Sequence, residues 1–336
     1  MTPSFKPRVL LATYYDRAVI APALDRLRAR ADVVDASRGR SFTLDEVRQA
    51  LPGIHVSIAA DEPYPADVLE QAPDLLLIAR DGTGFESIDL AAATAKGIVV
   101  TRAPVVHFAT ANFAIGLIIA LVRKIPFADR AIRENRWTDR AAVLCQDLTG
   151  MTLGIVGFGV VGREVASRAA ALGMKLLVYD VADVSGPAYA VGAALVSLDE
   201  LLAACDVVTV HIRHTEKTRH LFSADLFRKM KKGAYFVNTS RGGIVREADL
   251  IDALASGRLA GAALDVFESE PVNSDNPLLR LPNVVLTPHV AGDTSTTMLT
   301  AIDMNVTQIL DLLAGRKPSN LLNPDVWPSA RFRRLL

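Results

Sequence analysis

Residues 152–163, Thr-Leu-Gly-Ile-Val-Gly-Phe-Gly-Val-Val-Gly-Arg, join an apolar strand to a glycine turn and then to a helix start. Gly157, Gly159 and Gly162 fit G-x-G-x-x-G. Gly157 permits the tight turn, Gly159 lets the backbone approach a pyrophosphate, and Gly162 lets the helix pack on the strand. The helix N-terminus then offers N–H groups and a positive dipole end to phosphate. Alone the motif is weak, because an ordinary βαβ unit also carries glycine turns. Its context is stronger. Glu164 to Leu172 repeats apolar residues at helical spacing, Gly173 ends the helix, and 175–180, Lys-Leu-Leu-Val-Tyr-Asp, is a second strand. Asp180 follows Gly162 by about the twenty residues expected of the acid that binds a ribose hydroxyl.

Strand and helix alternate along the whole chain. Strands are predicted at 8–13, 32–35, 56–60, 75–79 and 98–101, and helices over 17–30, 43–51, 65–71 and 90–95. Thr43 is the N-cap of its helix, with Glu46 at the capping-box position. From Met151 six more strands follow, at 153–156, 176–179, 207–211, 235–238, 261–265 and 284–288. Six is the number a full dinucleotide-binding domain needs. The pattern argues an α/β fold of parallel, doubly wound sheets, Rossmann-like and flavodoxin-like. Residues 111–123 read as a long apolar helix between the two halves, and 296–313 as another after His289. One sheet does not absorb both sets of strands, so the last helix is expected to return to the first domain. The domains expected are 1–104 with 293–336, and 105–292 for the dinucleotide.

Bulk properties narrow the partners. The 336 residues suit two domains. With 37 Lys+Arg against 37 Asp+Glu, nothing points to nucleic acid or to an acidic membrane surface. The longest apolar run, Phe113 to Val122, is too short to span a bilayer, and residues 1–6 lack an apolar signal core. Cys145 and Cys205 are too few for a disulfide framework, are expected to be packing residues, and fit a reducing cytoplasm. The six histidines lack zinc-like spacing, so no metal is expected.

The chemistry lies after the later strands, where open α/β sheets bind ligands. In 238–243, Asn-Thr-Ser-Arg-Gly-Gly, Arg241 is placed to face an anion with the bidentate geometry that suits a carboxylate. The bland reading is a surface arginine in a salt bridge. In 264–271, Leu-Asp-Val-Phe-Glu-Ser-Glu-Pro, Asp265 ends a strand, and Glu268 and Glu270 are both candidate acids. His289 stands just past the last strand, as a structural residue or an acid/base. A carboxylate beside it would hold the imidazole and favour its protonated form. Arginine, glutamate, histidine and a dinucleotide site together suit hydride transfer to a 2-keto acid.

These segments resemble the D-2-hydroxyacid dehydrogenase family, in its phosphoglycerate-dehydrogenase-like branch. The resemblance covers 79–90, the glycine turn, 238–245, 263–271 and 283–289. It implies two similar α/β domains with a cleft between them, the first a substrate (catalytic) domain and the second an NAD-binding domain. It implies that Arg241 binds substrate, Glu270 partners the histidine, and His289 is the acid/base, with Glu268 a bystander. Thr83 and Gly84 resemble the loop that meets substrate and cofactor, and Asp265 the residue that contacts the nicotinamide carboxamide. Val160, Val161, His211, Thr215, Thr239 and Gly292 complete the expected cofactor contacts. Residues 125–137 resemble the arm of a homodimer joined through the cofactor domain. Asp180, followed by Val181 rather than an arginine, favours NAD over NADP.

The chain also departs from the family. Phosphoglycerate-oxidising members commonly carry Arg-Ser after the third strand. Here 59–62 reads Ala-Ala-Asp-Glu, two acids and no base, poor for a phosphate dianion. The loop 105–108, Val-Val-His-Phe, is bulkier than usual, Asn112 stands where an acid is common, and Glu86-Ser87 replaces Asp-Asn. Arg213 and His214 either touch the adenine side or are solvated loop residues, the second reading being favoured. The expected substrate is a small, non-phosphorylated 2-hydroxy or 2-keto acid. The rival readings are D-3-phosphoglycerate dehydrogenase, an unusual hydride donor such as phosphite, and an NAD(H)-sensing binding protein of the same fold.

Overall fold

The computed structural model describes residues 6–13, 15–137, 141 and 144–334. The chain divides into two compact units, Met1–Val106 with Asp293–Leu336, and His107–Gly292. The first unit opens with β1 (Arg8–Leu11), α1 (Arg17–Arg28), β2 (Asp32–Asp35), α2 (Leu44–Ala50), β3 (Val56–Ala59), α3 (Ala66–Glu70), β4 (Leu77–Arg80), α4 (Leu90–Ala95) and β5 (Val99–Arg102). The second holds α5 (His107–Val122), α6 (Ile125–Arg133), β6 (Thr152–Val156), α7 (Val160–Ala171), β7 (Lys175–Tyr179), α8 (Ser185–Ala190), β8 (Ala194–Leu195), α9 (Leu198–Ala204) and β9 (Val207–Val210). It continues with α10 (Ala224–Lys229), β10 (Ala234–Asn238), α11 (Glu247–Ala255), β11 (Leu259–Leu264) and β12 (Val284–Leu286), after which α12 (Ser295–Leu313) returns to the first unit.

Local signals set many of these boundaries. Thr43 and Glu46 form a reciprocal capping box on α2, and Ser197 with Glu200 does the same on α9. Two sequence expectations need correction. The second sheet has a seventh strand, β8, whose two residues are too few to show a period. The inter-unit helix starts at His107, not Ala111, so half of the 105–108 stretch is helix rather than loop.

All strand pairs in both sheets are parallel. The first sheet runs β2-β1-β3-β4-β5. On one face Ile302, Val306, Ile309 and Leu312 of α12 pack with Leu24 and Leu27 of α1 over Val9, Val56 and Leu77. The edge of β5 is covered by the chain after α12. Val100 N donates to Asn323 Oδ1 at 2.9 Å, and Leu322 N donates to Val100 O at 2.8 Å. The second sheet runs β12-β11-β10-β9-β6-β7-β8. Helix α5 packs against α7 and under β10, β11 and β12, so it is apolar on most sides. Among the described residues, no single helix is long and apolar enough to cross a membrane.

The first unit buries charge where its strands end. Arg80 donates to Asp61 Oδ1 and to the Asp81 carbonyl, so the 59–62 stretch does meet a base, brought by the neighbouring strand and already bonded. Glu62 is fully buried, and neither of its carboxyl oxygens has a hydrogen-bond partner. Burial pushes this carboxyl up to about 7, and pushes Asp81 up to about 6. Both groups hold a proton more tightly folded than unfolded. The native state is therefore favoured at mildly acid pH and loses stability as pH rises through these values. Glu62→Gln is expected to raise stability at pH 8 by roughly 1–3 kcal/mol and to change little at pH 4.5. Denaturant melts of both proteins at the two pH values check this, and an equal gain at both would refute the titration account.

Candidate active site

Because every strand of the second sheet is parallel, all its C-terminal ends share one edge, and the order reverses between β6 and β9. That reversal is where doubly wound sheets open a crevice. The candidate residues come off this edge in spatial order: Asp180 after β7, the glycine turn after β6, His211 after β9, Thr239 and Arg241 after β10, Asp265 and Glu270 after β11, and His289 after β12. Thr83 and Gly84 lie in the first unit, in the loop after β4, where Thr83 is exposed and its carbonyl accepts from Arg102 Nη1 at 3.4 Å.

The three glycines divide their work. Gly157 has φ 95°, and a Cβ there would lie 2.7 Å from the His211 carbonyl. A Cβ on Gly162 would lie 2.1 Å from the Gly157 carbonyl oxygen. A Cβ on Gly159 would meet nothing within 4 Å, and its φ of −69° is ordinary. The fold therefore demands the first and third glycines, whereas only an external group demands the second. Gly159 is also the N-cap of α7, with no side chain capping the first turn. Val160 stands exposed there, whereas Val161 packs into the core. An open backbone at a helix N-terminus fits a pyrophosphate.

The surrounding groups are consistent with a dinucleotide. Asp180 Oδ2 accepts from Phe158 N at 2.6 Å and Oδ1 from Ala182 N at 2.9 Å, which ties the acid to the glycine turn. His211 Nε2 lies 3.0 Å from Thr209 Oγ1, and burial pulls its pKa down to about 4, so the ring is neutral at pH 7. Thr239 Oγ1 is buried with no hydrogen-bond partner. Thr215 is exposed and bonds Thr218 through its backbone N–H. Gly292 closes the unit. His214 is not the solvated residue expected. Its ring lies against Gly243, where a Cβ would be 2.7 Å from Nε2, and Nε2 is buried without a hydrogen-bond partner. Arg213 is exposed.

Three loops build the rest. Buried Asn238 shapes the first: Nδ2 donates to Arg241 O at 2.9 Å, and Oδ1 accepts from Ser240 N at 2.9 Å and Ser240 Oγ at 2.7 Å. Arg241 is half-buried, and its Nη1 donates to Ser240 O at 2.7 Å. A Cβ on Gly242 would lie 1.8 Å from the Phe267 carbonyl oxygen, so this loop rests directly on the next.

Asp265 is fully buried and holds the third loop. Its carboxylate accepts from Thr287 Oγ1 at 2.6 Å, Val290 N at 3.0 Å and Ala291 N at 2.8 Å. Its carbonyl accepts from His289 N at 2.8 Å, and His289 sits in the left-handed region at φ 54°. Glu270 Oε1 accepts from Phe267 N at 2.9 Å, and Oε2 lies 2.6 Å from His289 Nδ1. Nδ1 is thereby engaged by a carboxylate. Glu268 instead pairs with His220 and meets the start of α11. Asn238, Thr287 and His220 escaped sequence reasoning. A polar residue ending an apolar strand was the available signal for Asn238. Thr287 and His220 carry none.

Comparison with known proteins now identifies the lineage. Residues 115–291 match the family described as D-isomer specific 2-hydroxyacid dehydrogenase, NAD binding domain. The chain belongs to the D-isomer-specific 2-hydroxyacid dehydrogenase family. Glyoxylate reductase of Korarchaeum cryptofilum is 41% identical over 275 residues, 81% of this chain and 82% of that protein. D-3-phosphoglycerate dehydrogenase of Archaeoglobus fulgidus is 40% identical over 310 residues, which is 91% of this chain but 58% of that longer protein. The structure of D-lactate dehydrogenase from Aquifex aeolicus, complexed with NAD and lactic acid, superposes with a TM-score of 0.83. It is 26% identical, over 94% of this chain and 99% of that one.

For this family member the division of glycine roles predicts a separation of effects. Gly159→Ala is expected to cost no more than about 1 kcal/mol of stability while weakening NADH binding about tenfold or more. Gly162→Ala is expected to lower stability by about 1–3 kcal/mol. Melting and NADH fluorescence titration of both variants test it. Undiminished NADH affinity in the Gly159 variant would reject the pyrophosphate reading.

Proposed function

We propose that this protein is an NAD-dependent dehydrogenase moving a hydride between nicotinamide and C2 of a small, non-phosphorylated 2-hydroxy or 2-keto acid. The observation that carries the proposal is the Glu270–His289 pair at 2.6 Å, on the same sheet edge as Arg241 and the glycine turn. Bound NADH supplies the hydride. The chain's residues do the rest. Arg241 binds the substrate carboxylate through two parallel N–H bonds and draws electron density from the adjoining carbonyl. His289 donates its Nε2 proton to the carbonyl oxygen, becoming an alkoxide as hydride arrives, and takes that proton back in the oxidative direction. Glu270, bonded to Nδ1, fixes the ring and stabilises the imidazolium. Asp180 accepts from the adenosine ribose and repels a 2′-phosphate, which favours NAD. Gly157, Gly159, Val160, Val161 and Gly162 cradle the pyrophosphate, and His211, Thr215, Thr239, Asp265 and Gly292 complete the cofactor site.

The exposed acid Asp61, with Arg80 already bonded to it, opposes a phosphorylated substrate. Both cysteines are free thiols, in keeping with a cytoplasmic protein. The test is NADH oxidation against glyoxylate, hydroxypyruvate, pyruvate, bulkier keto acids and phosphohydroxypyruvate. An unphosphorylated acid is expected to give the highest kcat/KM. His289→Ala is expected to lower kcat about 10²–10⁴-fold with NADH binding kept, and Arg241→Ala to raise KM and lower kcat together. Wild-type kcat in the His289 variant would refute the acid/base role. Tight NADH binding with no turnover on any acid would favour a sensor.

The partner we infer is a second copy of the chain. Three large apolar side chains on and after α6 support this reading: Ile132, Trp137 and Leu144 are 52%, 67% and 80% exposed. Sedimentation is expected to show a dimer that Ile132→Glu weakens. A wild-type monomer at micromolar concentration would contradict it.

A further inference from the structure

The segment 267–270 carries two glutamates, and each meets a histidine. Glu270 holds His289. Glu268 Oε1 lies 2.5 Å from Nε2 of His220, which comes from the loop after β9. The reaction above gives this second pair no task. Its connections nonetheless run to both halves of the machinery.

His220 reaches the arginine loop through its backbone. It sits in the left-handed region at φ 50°, and its N–H donates to Gly243 O at 2.8 Å, two residues beyond Arg241. Its side chain reaches the other loop through Glu268. That loop is anchored a second time: Glu247 N donates to Glu268 Oε2 at 2.9 Å, Glu268 N donates back to Glu247 Oε1, and Asn276 Nδ2 holds Glu247 Oε2 at 2.8 Å. Between the anchors, the Phe267 carbonyl presses on Gly242, and the Phe267 N–H holds Glu270.

We propose that His220 and Glu268 are positioning residues: their pair locks the 238–243 loop against the 267–270 segment and so sets the spacing between Arg241 and the Glu270–His289 pair. This rests on the reaction given under Proposed function. A half-exposed pair of this kind adds little to stability. Its value is geometric, since a misplacement of about 1 Å in a reacting group costs about 10²-fold in rate. A merely structural pair would change melting and leave kcat alone.

The test uses the full chain, three single variants and the His220→Gly/Glu268→Gln double variant. His220→Gly keeps the left-handed backbone and deletes the side chain, His220→Gln keeps a donor, and Glu268→Gln keeps the shape without the charge. Three quantities are measured: kcat and KM on the best keto acid, NADH affinity, and titration of the His289 imidazole by NMR. His220→Gly and Glu268→Gln are each expected to lower kcat about 10–100-fold with NADH affinity within about twofold. The double variant is expected to be no worse than either single one. His220→Gln recovers most of the rate. The His289 titration midpoint shifts in His220→Gly and returns in His220→Gln. That readout needs no turnover, so a wild type inactive on every acid would sink the reaction while the linkage is still judged. An unmoved His289 titration in both His220→Gly and Glu268→Gln overturns the proposal. So does wild-type kcat in those variants of an active enzyme.

Discussion

Asp265 is the group on which the acid/base apparatus depends. A carboxylate with no exposed surface is costly unless its oxygens are bonded, and here all three donors come from the 287–291 loop. The charge can be buried only if that loop closes over it, and the loop can close only if His289 adopts a left-handed backbone. The same closure delivers His289 Nδ1 to Glu270. Burial energy at one residue thus fixes the orientation of another. By resemblance Asp265 is a contact for the nicotinamide carboxamide. Its place in the structure gives it a second task, as the clamp of the histidine loop.

The backbone packing carries the same logic. Gly157, Gly162 and Gly242 are each pressed against a carbonyl at a distance no side chain tolerates, and each stands where two elements of the site meet. Of the three glycines in the 157–162 turn only Gly159 is unconfined, which leaves room there for a group the chain does not supply. Close contact at the joints and open room at the phosphate position together make a rigid cradle.

Electrostatics differ between the two units. In the second, carboxylates at the sheet edge are bonded to donors or histidines. In the first, Glu62 is buried without a partner and holds a proton near neutrality, and Asp81 titrates just below it. These groups make acid–base state a determinant of stability in the first unit, apart from the chemistry assigned to the second.

The sequence by itself determined the α/β class, the glycine turn and the candidates Arg241, Glu270 and His289. Period, capping residues and glycine spacing are local properties, and parallel alternation sends the ends of successive strands to one edge. It did not show β8, because two residues have no period. It did not show that α5 begins at His107, because the apolar pattern there starts a turn late. The residues alone left Glu268 and Glu270 both open and resemblance chose Glu270 for His289; the tertiary structure pairs those two and gives Glu268 to His220. Glu268 and Glu270 are two residues apart and chemically alike, and the choice follows from which loop each faces across the sheet edge. The same holds for His214, polar in sequence yet pressed on Gly243, and for Arg80, which brings to Asp61 the base that its own stretch lacks. Pairings between residues tens of positions apart are settled by strand order and loop packing, which no local pattern encodes.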